Sequence, residues 1–201
     1  RSYGLLDEEE RALFRSLGIF HGGFALPELE AVMADGAESE EKTPHSRRPS
    51  QPLHALLRTL VNRSLVRSET TPTGEQRFLL LEMLREFALE QLRLHREESA
   101  LGQRHYNAYL RLFRTGDSHL RGPDGTRWVA RLEAERSNWN AALHWAMESR
   151  HYADADWLII ASNWFWEHRG FYEEASRWFA LLLPQRQALA PEVRLLILFS
   201  H

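Results

Sequence analysis

Ten histidines are the residues in this chain best suited to bind a metal or move a proton. Their spacing supports neither role. No His-Glu-x-x-His run sets two imidazoles one turn apart on a helix face, and His144, His151 and His168 are scattered. Cysteine is absent, so no thiolate ligand and no disulfide is available. The carboxylates gather in "DEEE" (Asp7 to Glu10) and "ESEEK" (Glu38 to Lys42). Such runs read as solvated charge, not as an acid–base pair held in an apolar pocket. There is no glycine-rich phosphate loop and no nucleophile elbow. Neither catalysis nor a metal site is expected of this chain.

The remaining candidates bind rather than react. Trp157, Trp164, Trp166 and Trp178 crowd the last third of the sequence. Aromatic residues at helical spacing mostly face a core. Trp164, Trp166 and Trp178, with Tyr172, are the candidates for a partner surface, because Trp and Tyr are enriched at interface hot spots. A second group is Arg58, Asn62 and Arg63 in "LHALLRTLVNRSLV", the polar residues that helix would offer to a nucleic-acid groove.

The elements that must position these residues follow from periodicity and punctuation. "LLDEEERALFRSLGIF" reads as a first helix, with Asp7 as N-cap, Glu10 at the reciprocal capping position, a stripe of Leu13, Phe14 and Leu17, and Gly18 as C-cap. "HGGF" is a turn, and "LPELEAVM" is a short second helix with Pro27 in its first turn. Residues 36–52 contain almost nothing apolar and are expected to be a mobile surface loop. "LHALLRTLVNRSLV" is the third helix. "SLVRSE", "TPTGEQ" and "RFLLL" read as strand, turn and strand. "LLLEMLREFALEQL" then turns helical, with Leu80, Leu84, Phe87, Ala88 and Gln91 or Leu92 inward. Three helices plus a two-stranded wing are the winged-helix plan.

After Glu97 everything reads helical. "ALGQRHYNAYLRLFRTG" is one helix; "RWVARLEAERSNWNAALHWAMES" is one long helix or two shorter ones, with a cap expected at Asn138. "YADADWLIIASNWFWEHRG" and "FYEEASRWFALLLP" form an antiparallel pair around Gly170, and "PEVRLLILF" begins another helix. Helix pairs of this length point to a stacked array. The expected architecture is mainly α: a winged helix over 1–96, then an α-α superhelical tetratricopeptide-like array over 97–201.

Composition narrows the function classes. The chain has 201 residues and a formal net charge of -3, with a pI near 6.4. A general nucleic-acid binder instead shows a basic face and a pI above about 9. Arg47 and Arg48 lie in the 36–52 loop, while Arg67 and Arg77 flank the wing. DNA contact by this chain is therefore not expected. No apolar run approaches the ~20 residues of a membrane helix. "RSYGLLDEEE" has the wrong order of charge and apolarity for a signal peptide. A cytoplasmic setting is expected. The missing initiator Met and the close at "LLILFSH" lead to the expectation of a piece of a longer protein.

Two resemblances add to this reading. "GFYEEASRWFALLLP" resembles the second half of a tetratricopeptide repeat, with Gly170, Tyr172, Ala175, Phe179 and Leu183-Pro184 at that spacing. The half before it departs: Ser162 and Asn163 stand where Leu and Gly are usual, although Trp166 stands where an aromatic is usual. More broadly, "LLDEEERALFRSLGIFHGGFALPELEAV", "LLRTLVNRSLV", "GEQRFLLLEMLREFALEQL", "HLRGPDGTRWVARLEAERSNWNAALHWA" and "FWEHRGFYEEASRWF" together resemble bacterial signal-transduction ATPases of the NB-ARC (STAND) branch, many of them transcriptional regulators. In that group a nucleotide-binding module precedes a winged helix and tetratricopeptide-like repeats. The resemblance implies that an ATPase module lies N-terminal to this chain and binds ATP or ADP there. In related receptors and scaffolds the segment entering the fourth helix reads F-x-M-H-D-L-L-R-D, and the His approaches the nucleotide phosphate. Here Leu81 stands at the His place and Glu82 at the Asp place. Leu has no donor for a phosphate. Glu82 is left to cap the helix or to make an interdomain ion pair.

The resulting expectation is a regulatory piece. Its repeats receive a protein or small-molecule signal, and its winged helix relays that signal to the ATPase module, with no cofactor of its own. The alternatives are a DNA-binding winged-helix transcription factor with a helical effector domain, and a structural protein-interaction adaptor.

Overall fold

The computed structural model describes residues 2–34, 51–71 and 74–188. The expected loop over 36–52 and the expected helix at "PEVRLLILF" fall largely or wholly outside them. The chain forms two compact units, Arg1–Ala108 and Tyr109–His201.

In the first unit, α1 (Glu8–Leu17) starts at the Asp7 cap. Asp7 Oδ1 accepts from the Glu10 N–H at 2.9 Å, and Glu10 Oε2 accepts from the Asp7 N–H at 2.9 Å. This reciprocal pair satisfies backbone donors that a helix start leaves open. Leu13, Phe14 and Leu17 are buried, as the spacing predicts. A strand that the sequence reading lacks follows: β1 (Phe24–Ala25). Two residues carry no period to detect. Then come α2 (Leu26–Ala34), α3 (Leu53–Asn62), β2 (Arg67–Thr70) and β3 (Gln76–Leu79). The sheet is three-stranded, ordered β1-β3-β2. Both pairings are antiparallel, with Phe24 opposite Phe78 and Arg67 opposite Leu79. Gly23 has φ +88°, and a Cβ there would stand 2.9 Å from the Phe78 carbonyl, so only glycine lets β1 close on β3. The unit is a winged helix with a three-stranded sheet, where the sequence predicts a hairpin alone.

α4 (Glu82–Leu94) packs on α1 through Ala88 and Leu92, both fully buried, while Leu80, Leu84 and Phe87 are half-buried. Within this unit, the Arg15 guanidinium binds Glu97 through Nε to Oε2 at 3.2 Å and Nη2 to Oε1 at 3.3 Å, and reaches Glu8 at 3.3 Å. Its burial opposes the charge, but Glu97 and then Glu8 outweigh that and push its pKa up.

The division between units falls within α5 (Glu98–Leu120). The second unit continues with α6 (Gly125–Ala134), α7 (Arg136–Glu148), α8 (Tyr152–Ile160), α9 (Asn163–Arg169) and α10 (Tyr172–Leu182). α6 packs on α7, α7 on α8, and α10 on both α8 and α9, giving a helical array. Asn138 does not cap a helix as expected. It lies buried within α7 and donates to Glu135 Oε2 at 2.9 Å, which also accepts from Tyr109 OH at 2.6 Å.

The sequence also predicts one helix over "YADADWLIIASNWFWEHRG", and the structure breaks it at Ala161–Ser162. Ser162 Oγ bonds the Leu158 carbonyl at 2.6 Å and accepts from Trp139 Nε1 at 2.6 Å. A serine bonded back to the carbonyl one turn earlier loosens a helix. The break thus falls where Ser162 and Asn163 depart from the repeat pattern. Gly170, with φ +69° and its N–H on the Trp166 carbonyl, closes α9 in the left-handed conformation that glycine favours.

Candidate functional site

Three places hold the residues singled out above. The first is the start of α4. Leu81 is its N-cap in extended conformation (φ -61°, ψ 145°), with no side-chain hydrogen bond. Its carbonyl accepts from the N–H groups of Leu84 and Arg85 at 2.8 and 2.9 Å. The Leu81 side chain is 48 % exposed and that of Met83 82 %. Between them, the Glu82 carboxylate accepts from Arg85 Nε at 3.2 Å and from Nη2. Arg85 Nη1 lies 3.2 Å from His21 Nε2. Hydrogen bonding from Arg85 first, then the Arg85 and His21 charges, hold the Glu82 carboxyl below its ordinary range despite slight burial. Arg85 therefore bridges the start of α4 to the His21-Gly22-Gly23 turn. Glu82 is held by Arg85 rather than by the helix N–H groups. The place carries uncovered apolar side chains around an ion pair.

The second place is α3. His54, Arg58 and Asn62 are all exposed and share one face at four-residue spacing. Arg63 does not join them. Its Nη1 donates to the Leu5 carbonyl at 3.0 Å, and its Nη2 lies 3.7 Å from Glu10. The wing offers Arg67 but also exposed Glu69, and Arg77 is buried with Nη2 donating to the Gly23 carbonyl at 3.2 Å. The sequence offers Arg63 to a groove and sets Arg77 beside the wing; a carbonyl and a carboxylate of the same unit draw Arg63 in, and a carbonyl draws in Arg77.

The third place is the aromatic region of the second unit. Trp166 and Trp178 are each 5 % exposed and stand edge-on to Trp139, with ring centres 4.6 and 6.4 Å apart. They belong to the core and present no surface to a partner. Tyr172 is exposed. Trp164 is half-buried, and the Arg121 guanidinium lies over its ring at 3.9 Å. Trp157, exposed at 40 %, carries Arg114 over its ring at 5.4 Å. The two arginines escaped the sequence reading. The signal for them is a shared interval, since 114 and 121 repeat the spacing of 157 and 164.

Among the described residues no group of three or more His, Asp or Glu could hold a metal, and no helix is long and apolar enough to cross a membrane.

No family model matches the chain, and no solved structure gives a significant match. Over 186 residues it is 33 % identical to a protein named "Putative HTH-type transcriptional regulator" in Mycobacterium bovis, and equally so to proteins of that name in Mycobacterium tuberculosis. The match covers 92 % of this chain and 20 % of each relative, so the chain spans about one fifth of their length.

Proposed function

We propose that this chain is a regulatory segment of a transcription regulator, in which the winged helix docks on a nucleotide-binding module elsewhere in the same protein. The helical array, a tetratricopeptide-like one in this reading, receives a protein or small-molecule signal. The names of the mycobacterial relatives support the transcriptional role. The docking reading rests on one observation: Leu81 and Met83 stand uncovered on either side of the Glu82–Arg85–His21 bridge. Two uncovered apolar side chains beside a held ion pair suit a surface that another module could cover. The chain itself carries no catalysis and no cofactor in this reading; ATP or ADP belongs to the docked module, in the cytoplasm. A signal shifts the docked state only if it binds docked and released forms with different affinity.

Leu81→Glu with Met83→Glu in the full-length protein tests this. Faster release of bound ADP than from the wild type is expected, and unchanged release removes the relay. A G-x-x-x-x-G-K-[ST] sequence upstream of Arg1 is also required.

The relatives' names and the His54, Arg58 and Asn62 face favour a second reading, in which α3 enters a DNA groove. Fluorescence anisotropy with duplex DNA at low salt separates the two. Salt-sensitive, sequence-selective binding lost in Arg58→Ala/Asn62→Ala selects the DNA reading.

A further inference from the structure

Arg114 over Trp157 and Arg121 over Trp164 form two stacked pairs within the second unit. Arg114 stands in the last two turns of α5, and Arg121 is the residue just past its end at Leu120. Both are exposed, and neither makes a hydrogen bond or ion pair among the described residues. A guanidinium laid on an indole face keeps its in-plane N–H fork for an anion, and the stack already limits its rotamers. Asp117 lies between the two in sequence, in the last turn of α5, half-buried and within reach of the Arg121 charge. From the last turns of α5 into the turn that follows, the surface therefore reads positive, negative, positive.

We infer that this Arg114–Asp117–Arg121 face, with Trp157 beside it, receives a helix of a protein partner that carries acid, base and acid at the matching turns. Each outer carboxylate takes one arginine fork, and a central Lys or Arg meets Asp117. A carboxylate on a guanidinium fork is among the stronger polar contacts, and the mixed sign fixes register. A run of phosphates lacks the central cation and would meet Asp117 with like charge. The chain's net charge of -3 also provides no field to gather nucleic acid. This surface stands whether or not the first unit relays to a nucleotide-binding module.

The test uses the whole 201-residue chain. The probe is a fluorescein-labelled alanine-based helical peptide with Glu at two positions seven apart and Lys between them. Saturable anisotropy binding is expected. Arg114→Gln/Arg121→Gln should weaken it about tenfold, and Arg114→Lys/Arg121→Lys, which keeps charge but loses fork and stack, about threefold. Arg127→Gln, an exposed arginine on α6, should leave it unchanged. Tryptophan-fluorescence melts check folding. If the Gln pair unfolds, the Lys pair decides. Equal binding of a charge-swapped Lys-Glu-Lys peptide, wild-type binding by the folded double variants, or tighter binding of duplex DNA through the same two arginines would each overturn the inference.

Discussion

All seven tryptophans lie between Trp128 and Trp178, in the second unit, and the first unit has none. Arg15, Arg63 and Arg85 of the first unit each meet a carboxylate. In the second unit Arg136 and Arg169 meet Glu174 and Glu133 in the same way, but Trp139 and Trp178 also donate to neutral oxygens of Ser162 and Asn140, and Arg114 and Arg121 lie on indole rings. The contrast teaches what each unit leaves available. Arg15 and Arg63 have their donors committed to carboxylates or carbonyls of their own unit. Arg114 and Arg121, stacked on Trp157 and Trp164, are not committed in that way.

Trp139→Ala should have the largest effect. This ring is 1 % exposed and touches Phe113, Trp166 and Trp178. A loss of about 3–5 kcal/mol is expected for deleting a buried Trp. Urea unfolding followed by tryptophan fluorescence reads the second unit alone, and a loss below about 1 kcal/mol would end the view of an indole-built core. Arg15→Ala comes next, at about 1.5–3 kcal/mol for its charged hydrogen bonds, read by far-UV circular dichroism. If Arg15→Ala is neutral, its buried pairing with Glu97 and Glu8 does not hold the first unit together. Ser162→Ala should cost about 1–3 kcal/mol, because Trp139 Nε1 is left buried without its acceptor.

The smallest effects test the contrast through opposite signs in pH. Burial pushes the Asp117 carboxyl above its ordinary range against the pull of Arg121. Its contribution is present below the unfolded-state pKa and lost as pH rises through the folded value. Asp117→Asn should then melt slightly higher than wild type at neutral pH and equally in acid. Arg85 holds the Glu82 carboxyl down, so that contribution exists above the ordinary carboxylate range and is lost as pH falls. Glu82→Gln should melt slightly lower at neutral pH. Melting curves at several pH values check both, and effects of the same sign would erase the distinction.

Much of the fold is legible in the residues. The Asp7–Glu10 box, the α1 stripe and the inner face of α4 follow from spacing, because each is decided within a few turns of one helix. β1 is not legible, because a two-residue strand exists only through its pairing with β3. Nor is the break at Ser162, whose hydroxyl is fixed partly by Trp139, a residue 23 positions away. Of the candidate site residues, Arg58 and Asn62 stay on the surface, whereas Arg63 turns to Leu5 and Glu10.

The sequence by itself determined the order of the first unit's helices and of its β2–β3 wing, and the absence of thiol chemistry. Those rest on side-chain type and local period alone. Tertiary structure decided which tryptophans are core and which carry an arginine, and which arginines remain available to a partner. Exposure and pairing depend on what distant segments bring alongside, and no spacing within one helix encodes that.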